Sequence, residues 1–421
     1  MEGARTPEHE HAPIDVEVLR KDFPLLARTV HDRPIVYLDS AATALQPRQV
    51  LAAMEQYYET THSNVHRGVY ATAEEATRLY ELARTDIGRF IGAPDPAREI
   101  VFTKNATEAL NLVAHSWGRT RLDAGDVVLL TEMEHHANIV PWLMLAEERG
   151  VQLRYLPVDD AGRLDLSGLD RALDGVKLVG ISAMSNVLGT INPLAEIARA
   201  AHAAGALVVA DGAQSVPHLP VDVVASEVDF LAFSAHKMFG PTGIGVLWAR
   251  ADLLAEMPPF LGGGGMILDV RTDRFLPADP PQRFEAGTPP IAEAVGLSAA
   301  VAYLEGIGME RLREHERDLT AYALGALADR LGDACRVFGP PAGDDRGGVI
   351  SLAVRDVHPH DLAQVLDQFA VCVRPGHHCA KPLMRRLGVP ATARASIGPY
   401  NDEHDIDVLI EGLVEAGRLF G

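Results

Sequence analysis

Ala206-Leu207-Val208-Val209-Ala210-Asp211-Gly212-Ala213-Gln214 is an apolar run that ends on an aspartate and a glycine-bearing turn. A short distance on, Phe230-Leu231-Ala232-Phe233-Ser234-Ala235-His236-Lys237 repeats the form and ends on a lysine. Short, continuous apolar runs closed by polar turns read as strands of a sheet covered on both faces. Outward from these two, the form recurs at Ile100-Val101-Phe102, Val127-Val128-Leu129-Leu130 and Leu178-Val179-Gly180-Ile181. Helix-compatible sequence separates the runs, so the chain reads as α/β, with a large domain built on a mainly parallel central sheet. Each run is followed by a residue with chemistry to offer: Thr107, His135, Asn186, Asp211 and the pair His236-Lys237. Open α/β sheets bind ligands beyond the carboxyl ends of their strands, so these residues are expected to converge on one crevice.

After Gly287 the character changes. Residues 291–317 read as largely helical, a Gly/Pro/Asp-rich break follows at 339–348, and Val349-Ile350-Ser351-Leu352 opens a further alternation of strand and helix. We expect residues 36–295 to form the large domain. Residues 1–35, with a helix around Val16 to Asp22, and residues 296–421 would form a smaller α/β domain. Gly262-Gly263-Gly264-Gly265 reads as a flexible loop or a place of close approach.

The charge, 38 basic minus 58 acidic residues or −20, argues against a nucleic-acid or anionic-membrane partner. No apolar run approaches the roughly twenty residues of a membrane span, and the opening residues lack an apolar signal core, so a cytoplasmic location is expected. Three cysteines, Cys335, Cys372 and Cys379, are an odd and sparse set that suits a reducing compartment. Cys372 lies in an apolar run and reads as packing.

An aspartate and a lysine on successive strand ends suit pyridoxal phosphate: the amine forms a Schiff base with the aldehyde, and the carboxylate keeps the pyridinium nitrogen protonated. Gln214 could donate to the ring oxygen. Taken singly, Asp211-Gly212 is better explained as a turn and Lys237 as a surface lysine, and it is their joint occurrence that shifts the balance. The phosphate is also provided for, because Thr103-Lys104-Asn105-Ala106-Thr107-Glu108 leads into a helix, whose N-terminus binds anions. Thr107 could equally be a plain N-cap. Ser234 and His236 offer further phosphate contacts, and a histidine at 135 could stack on the ring. His135-His136 alone could also be a solvated loop or a metal pair.

Arg374-Pro375-Gly376-His377-His378-Cys379-Ala380 surrounds one cysteine with cationic or proton-exchanging neighbours, which favour a reactive thiolate. His377, His378 and Cys379 could instead be metal ligands, or Cys379 an inert thiol. No cysteine pair at metal spacing accompanies them, which ranks zinc below pyridoxal phosphate, and no metal is expected.

The ordered series of segments resembles the class V aminotransferase family, pyridoxal-phosphate transferases of fold type I, and within it the SufS-type or group II cysteine desulfurases. It runs from Asp39-Ser40-Ala41-Ala42-Thr43 and Asn64-Val65-His66-Arg67-Gly68 through Ala106-Thr107-Glu108 and Glu134-His135-His136-Ala137-Asn138. Ser185-Asn186-Val187-Leu188-Gly189, Asp211-Gly212-Ala213-Gln214, Ser234-Ala235-His236-Lys237 and Arg283-Phe284-Glu285-Ala286-Gly287-Thr288 continue it, and the cysteine segment and Arg394-Ala395-Ser396 close it.

The resemblance implies Lys237 as Schiff-base lysine, Asp211 as pyridinium partner, Gln214 as ring-oxygen donor and His135 as stacking base. Ala106, Thr107, Ser234 and His236 would hold the phosphate, joined by Thr288 from a partner subunit of a homodimer. Asn186 and Arg394 would orient substrate, Arg374 would stand at the mouth, and His66-Arg67 would approach the neighbouring site. The implied reaction converts L-cysteine to L-alanine and leaves the sulfur on Cys379 as a persulfide. A SufE- or SufU-type acceptor for iron–sulfur assembly would then take it. Selenocysteine lyases and kynureninase- or transaminase-like enzymes share the fold, and a non-enzymatic metal or iron–sulfur scaffold on His377, His378 and Cys379 is the alternative of another class. Pro375 and Gly398-Pro399-Tyr400 depart from the family pattern.

Overall fold

The computed structural model describes residues 13–420, so the expectations for the opening residues fall outside the described residues as far as residue 12. Seven strands make the large sheet: β1 (Ile100–Thr103), β2 (Val127–Thr131), β3 (Gln152–Leu156), β4 (Val176–Ser182), β5 (Leu207–Asp211), β6 (Phe230–Ser234) and β7 (Gly245–Ala249). Their order is β1-β7-β6-β5-β4-β2-β3. The block from β3 to β6 is parallel, and β7 runs antiparallel between β6 and β1. The register places Ser182 beside Asp211 and Asp211 beside Ala232, so the carboxyl ends of β4, β5 and β6 lie level.

Alternate residues of each strand enter two different cores, as the period of a pleated strand requires. Leu129, Ile181, Val208 and Phe233 pack on one face with Tyr57 of α1 (Arg48–Thr60), Tyr80 of α2 (Ala71–Phe90) and Leu297, which lies in a helix near residue 300. Leu130, Leu178, Val209 and Ala232 pack on the other face with Leu110 of α3 (Ala106–Leu112) and Trp142 of α4 (Val140–Arg149). Continuous apolar strands and helices on both sheet faces therefore have one cause.

The helical reading of 291–317 resolves into α5 (Ile291–Ile307) and α6 (Met309–Leu331), bent by 72° at Gly308. Gly308 has φ +89 and ψ 118, a conformation that side chains beyond glycine avoid, which is why the break falls there. The small domain is a four-stranded antiparallel sheet, β8 (Cys335–Phe338), β9 (Val349–Val354), β10 (Arg374–Gly376) and β11 (Thr392–Ser396), in the order β8-β9-β11-β10. Its core joins Ile350 and Leu352 to Leu319 of α6, Leu366 of α7 (Pro359–Gln368) and Leu413 of a C-terminal helix, Glu403–Phe420. Between α7 and that helix, α8 (Lys381–Leu387) follows the cysteine segment.

Val36–Tyr37 pairs in parallel with Val371–Cys372, and Val36 and Leu38 sit in the small-domain core. The whole of α5, by contrast, packs in the large-domain core through Ile291, Leu297, Val301 and Leu304. We therefore place the crossing into the large domain after Leu38 and the return at Gly308. Pro375 lies in β10, an edge strand, where a residue without an N–H is tolerated. Tyr400 is fully buried and bonds Ser40 Oγ at 2.7 Å, so the Gly398-Pro399-Tyr400 stretch ties the end of β11 to the start of the large domain. No single helix among the described residues is long and apolar enough to cross a membrane. Added Cβ atoms at Gly262 and Gly264 would meet nothing within 4 Å, so the glycine run is an open loop there.

Candidate active site

The strand ends and the cysteine segment enclose a cavity of about 320 Å³. It brings together Ala106, Thr107, His135, Asn186, Asp211, Gln214, Ser234, His236, Lys237, Arg374, Cys379 and Arg394. Every residue picked out from sequence for cofactor or substrate lines it except Thr288. Thr288 is exposed on its own chain.

Asp211 is buried, Lys237 is half-buried, and each works on the other's charge. Burial lowers the Lys237 pKa, the Asp211 carboxylate opposing it, and burial raises that of Asp211 against the pull of Lys237. Asp211 Oδ1 accepts the Ala213 N–H at 2.9 Å, which fixes the carboxylate at the end of β5. Gln214 Nε2 donates to the Ala41 carbonyl at 2.8 Å, leaving one amide hydrogen free and its buried Oε1 without a partner.

At the start of α3 the cap is Asn105, whose Oδ1 accepts the Glu108 N–H at 2.9 Å. The Thr107 hydroxyl is therefore not spent on capping. The Ala106 N–H donates to Ser234 Oγ at 2.8 Å, so these two form a preset pair at the helix entrance. Burial and the neighbouring Lys237 lower the His236 pKa to about 4, so His236 is neutral and offers hydrogen bonds only.

His135 differs from a free base. Its pKa is lowered to about 3 by burial and by Lys237, His136 and Arg394, and its Nδ1 accepts the Ala137 N–H at 3.1 Å. A neutral ring with Nδ1 occupied as acceptor carries its proton on Nε2. Beneath it lies Glu134, fully buried, which accepts from Thr131 Oγ1, Asn138 Nδ2, Ser182 N–H and Ser182 Oγ at 2.6, 2.7, 2.9 and 2.9 Å. Burial pushes its carboxyl up to about 7 against those four bonds. The motif Glu134-His135 held this signal, but sequence reasoning gave Glu134 no part.

Asp39, also given no part, joins the two arginines. Arg374 donates to its carboxylate at 2.7 and 3.2 Å, and Arg394 Nη2 stands 3.5 Å away. Arg394 also donates to the Asn186 carbonyl at 2.9 Å and keeps a buried Nε without a partner, and its pKa is lowered to about 10, chiefly by burial. Asn186 Nδ2 is engaged with the His378 carbonyl at 2.8 Å.

Of the three cysteines only Cys379 is exposed, while burial raises the thiols of Cys335 and Cys372 to about 11. His378 is not the cationic neighbour expected. Its ring is buried on Thr392 Oγ1 at 2.9 Å, and its pKa is lowered to about 3 by burial and Arg394. Among the described residues no group of three or more His, Cys, Asp or Glu is arranged to hold a metal ion.

A half-buried lysine beside a buried aspartate at the strand ends, with hydroxyl and helix-entrance groups near them and unpaired polar atoms in the wall, fits pyridoxal phosphate. Fold and site together define the class: a fold-type I pyridoxal-phosphate enzyme. Residues 36–409 match the family Aminotransferase class-V. The chain is 50% identical over 414 residues to a probable cysteine desulfurase of Streptomyces coelicolor, covering 97% of this chain and 98% of that one. It is 47% identical over 424 residues to a cysteine desulfurase of Haloferax volcanii, covering 98% and 99%. Among solved structures, a cysteine desulfurase from Thermococcus onnurineus superposes with TM-score 0.90 at 40% identity, covering 100% and 99%. The cysteine desulfurase CsdA of Escherichia coli, as its S-sulfonic acid, gives 0.89 at 38%, covering 97% and 100%. The chain belongs to the class-V aminotransferase family, and its cofactor is pyridoxal phosphate.

Proposed function

We propose that the enzyme is a cysteine desulfurase of the SufS type, which takes the sulfur of L-cysteine onto Cys379 and releases L-alanine. The observation that carries this reading is an exposed cysteine, Cys379, on the wall of the cavity that holds Lys237 and Asp211. A transaminase-like reaction has no use for a thiol there. The extent of the relationship to cysteine desulfurases supports the same conclusion.

Lys237, Asp211, Gln214, Ala106, Thr107, Ser234 and His236 hold the cofactor, which when bound supplies an electron sink for the substrate Cα. The low pKa that burial gives Lys237 lets its amine carry the Cα proton. Arg394 receives the substrate carboxylate in competition with Asp39, and its unpaired Nε gives that carboxylate a place to bond. Asn186 and Arg374 steady the same region. His135, neutral and with its proton on Nε2, gives a hydrogen bond to the substrate from that nitrogen. In the sulfur step the Cys379 sulfur bonds to the substrate sulfur as the substrate C–S bond breaks. The carbon keeps the electron pair and gains a proton, so one thiol and one cysteine become a persulfide and alanine without an outside oxidant. A thiol on an acceptor protein of the SufE or SufU kind then takes the outer sulfur toward iron–sulfur assembly.

Thr288 reaches the cofactor of a second copy in a homodimer. Its exposure supports this, as do the exposed apolar side chains Val69, Tyr70, Leu268, Val270, Phe275 and Leu276, a set of the kind that marks association surfaces. Two variants test the chemistry separately. Lys237→Ala should abolish the borohydride-reducible link to the cofactor. Cys379→Ala should keep the cofactor spectrum and its response to cysteine but release no sulfide above background. Normal sulfide release by the latter rules out Cys379 as sulfur acceptor.

A further inference from the structure

The segment that presents Cys379 is held in a costly shape. His378 and Cys379 are successive non-glycine residues in left-handed backbone, φ +50 and +55, a conformation that L side chains disfavour. Such strain persists only where the surroundings over-determine it. The tethers are visible. Asn186 Nδ2 holds the His378 carbonyl, and the Cys379 N–H donates to His377 Nδ1 at 3.1 Å.

A further tether crosses from the large domain and uses one residue twice. The His136 N–H donates to the Cys379 carbonyl at 2.7 Å, and His136 Nε2 accepts the Lys381 N–H at 3.0 Å. A single residue thus grips the segment on both sides of Ala380. His136 is absent from the cavity wall, so it acts on the reaction through its neighbours there, Cys379 by two hydrogen bonds about its segment and His135 by charge.

We infer that His136 is a positioning residue for the sulfur-transfer step: its neutral imidazole, by accepting the Lys381 N–H, keeps the Cys379 turn in the shape that offers the thiol to the cavity. This rests on the reading of Cys379 as sulfur acceptor. Only the neutral ring can do it, because a protonated imidazole is a donor at both nitrogens. The groups that face the ring are His377, with centroids 5.7 Å apart, His135 at 6.3 Å, and Lys381. Burial first, then the charges of His377 and Lys381, lower the His136 pKa below the ordinary histidine value, which keeps the acceptor available at neutral pH. As pH falls through that pKa the tether is lost.

The test uses the holoenzyme with His136→Gln, whose side-chain oxygen can take the place of Nε2 without titrating, and His136→Phe, which keeps a ring without an acceptor. Two quantities are read from mildly alkaline to mildly acidic pH: the rate at which Cys379 gains sulfur after mixing with L-cysteine, and hydrogen exchange at the Lys381 amide. The phenylalanine variant should gain sulfur about fivefold more slowly at neutral pH, the worth of one net hydrogen bond, and exchange the Lys381 amide faster. The glutamine variant should keep the neutral-pH rate and lose less of it in acid than the native enzyme. In both, the spectral response of the cofactor to cysteine should be unchanged. Native sulfur uptake and native Lys381 exchange in the phenylalanine variant, or a glutamine profile that superposes on the native one, would overturn the inference while leaving Cys379 as acceptor. Full sulfide release by Cys379→Ala would remove both together.

Discussion

His378 shows what burial does to a residue whose sequence context suggests charge. Its ring lies against Thr392 and within reach of Arg394, and a proton there would face a cation in a site with little water. A pKa of about 3 in the fold, against the model-peptide value of about 6.5, means the unfolded chain binds the proton first as pH falls. The neutral His378 therefore contributes stability that is fully present above about pH 6.5 and is lost as pH falls toward 3. His378→Gln should flatten the fall of the thermal midpoint between neutral and mildly acidic pH, and an unchanged slope would count against the burial argument. Sequence reasoning could name His378 beside Cys379 but not its left-handed backbone, which turns the ring inward. The tautomer of His135 was hidden from the sequence for a related reason. The Ala137 N–H that fixes its tautomer comes from a short 3-10 turn, His136–Asn138, of which neighbouring residue types gave no sign.

Elements are joined by buried ion pairs that composition does not reveal. Arg84 of α2 is fully buried and donates two bonds to Glu285, at 2.8 and 2.9 Å, and Glu285 also accepts from the Tyr80 hydroxyl and the Phe102 N–H. This pairing locks α2 and β1 to the stretch that leads into Thr288. Removing the carboxylate would leave a buried cation with only Glu81 as an acidic partner, so Glu285→Ala should cost about 3–5 kcal/mol in denaturant unfolding. A loss below about 1 kcal/mol would mean that the site relaxes or admits water. The strands read from sequence are those that are continuous and apolar, such as Leu207–Asp211 and Phe230–Ser234. Two were not read. Gln152–Leu156 is a half-exposed edge strand of mixed polarity, and Gly245–Ala249 is apolar but follows a glycine- and proline-rich turn that suggests a loop. That second strand is the antiparallel one, inserted between β6 and β1, which no local pattern announces.

At the scale of the molecule, the two domains meet over the cavity, and residues from each complete it: Lys237 and Asp211 from the sheet, Arg374, Cys379 and Arg394 from the smaller unit. The apolar strands and the crevice at their ends were legible because a doubly covered sheet writes its pattern locally. The meeting of the domains was not, since Val36–Tyr37 pairs with Val371–Cys372 from the far end of the chain. If Thr288 serves a second copy, defects should complement. Co-expressed Lys237→Ala and Thr288→Ala subunits should form mixed dimers with one intact site each and exceed the activity of either variant alone. Activity no better than the average of the two would argue that Thr288 acts nowhere in the partner's site.

The most direct measurement is mass spectrometry of the holoenzyme after brief exposure to L-cysteine. The account predicts the mass of one added sulfur atom, mapped to the peptide bearing Cys379 and removed by a thiol reductant. Alanine release with that peptide unmodified, or the added sulfur found on Cys372 or Cys335 instead, would contradict it.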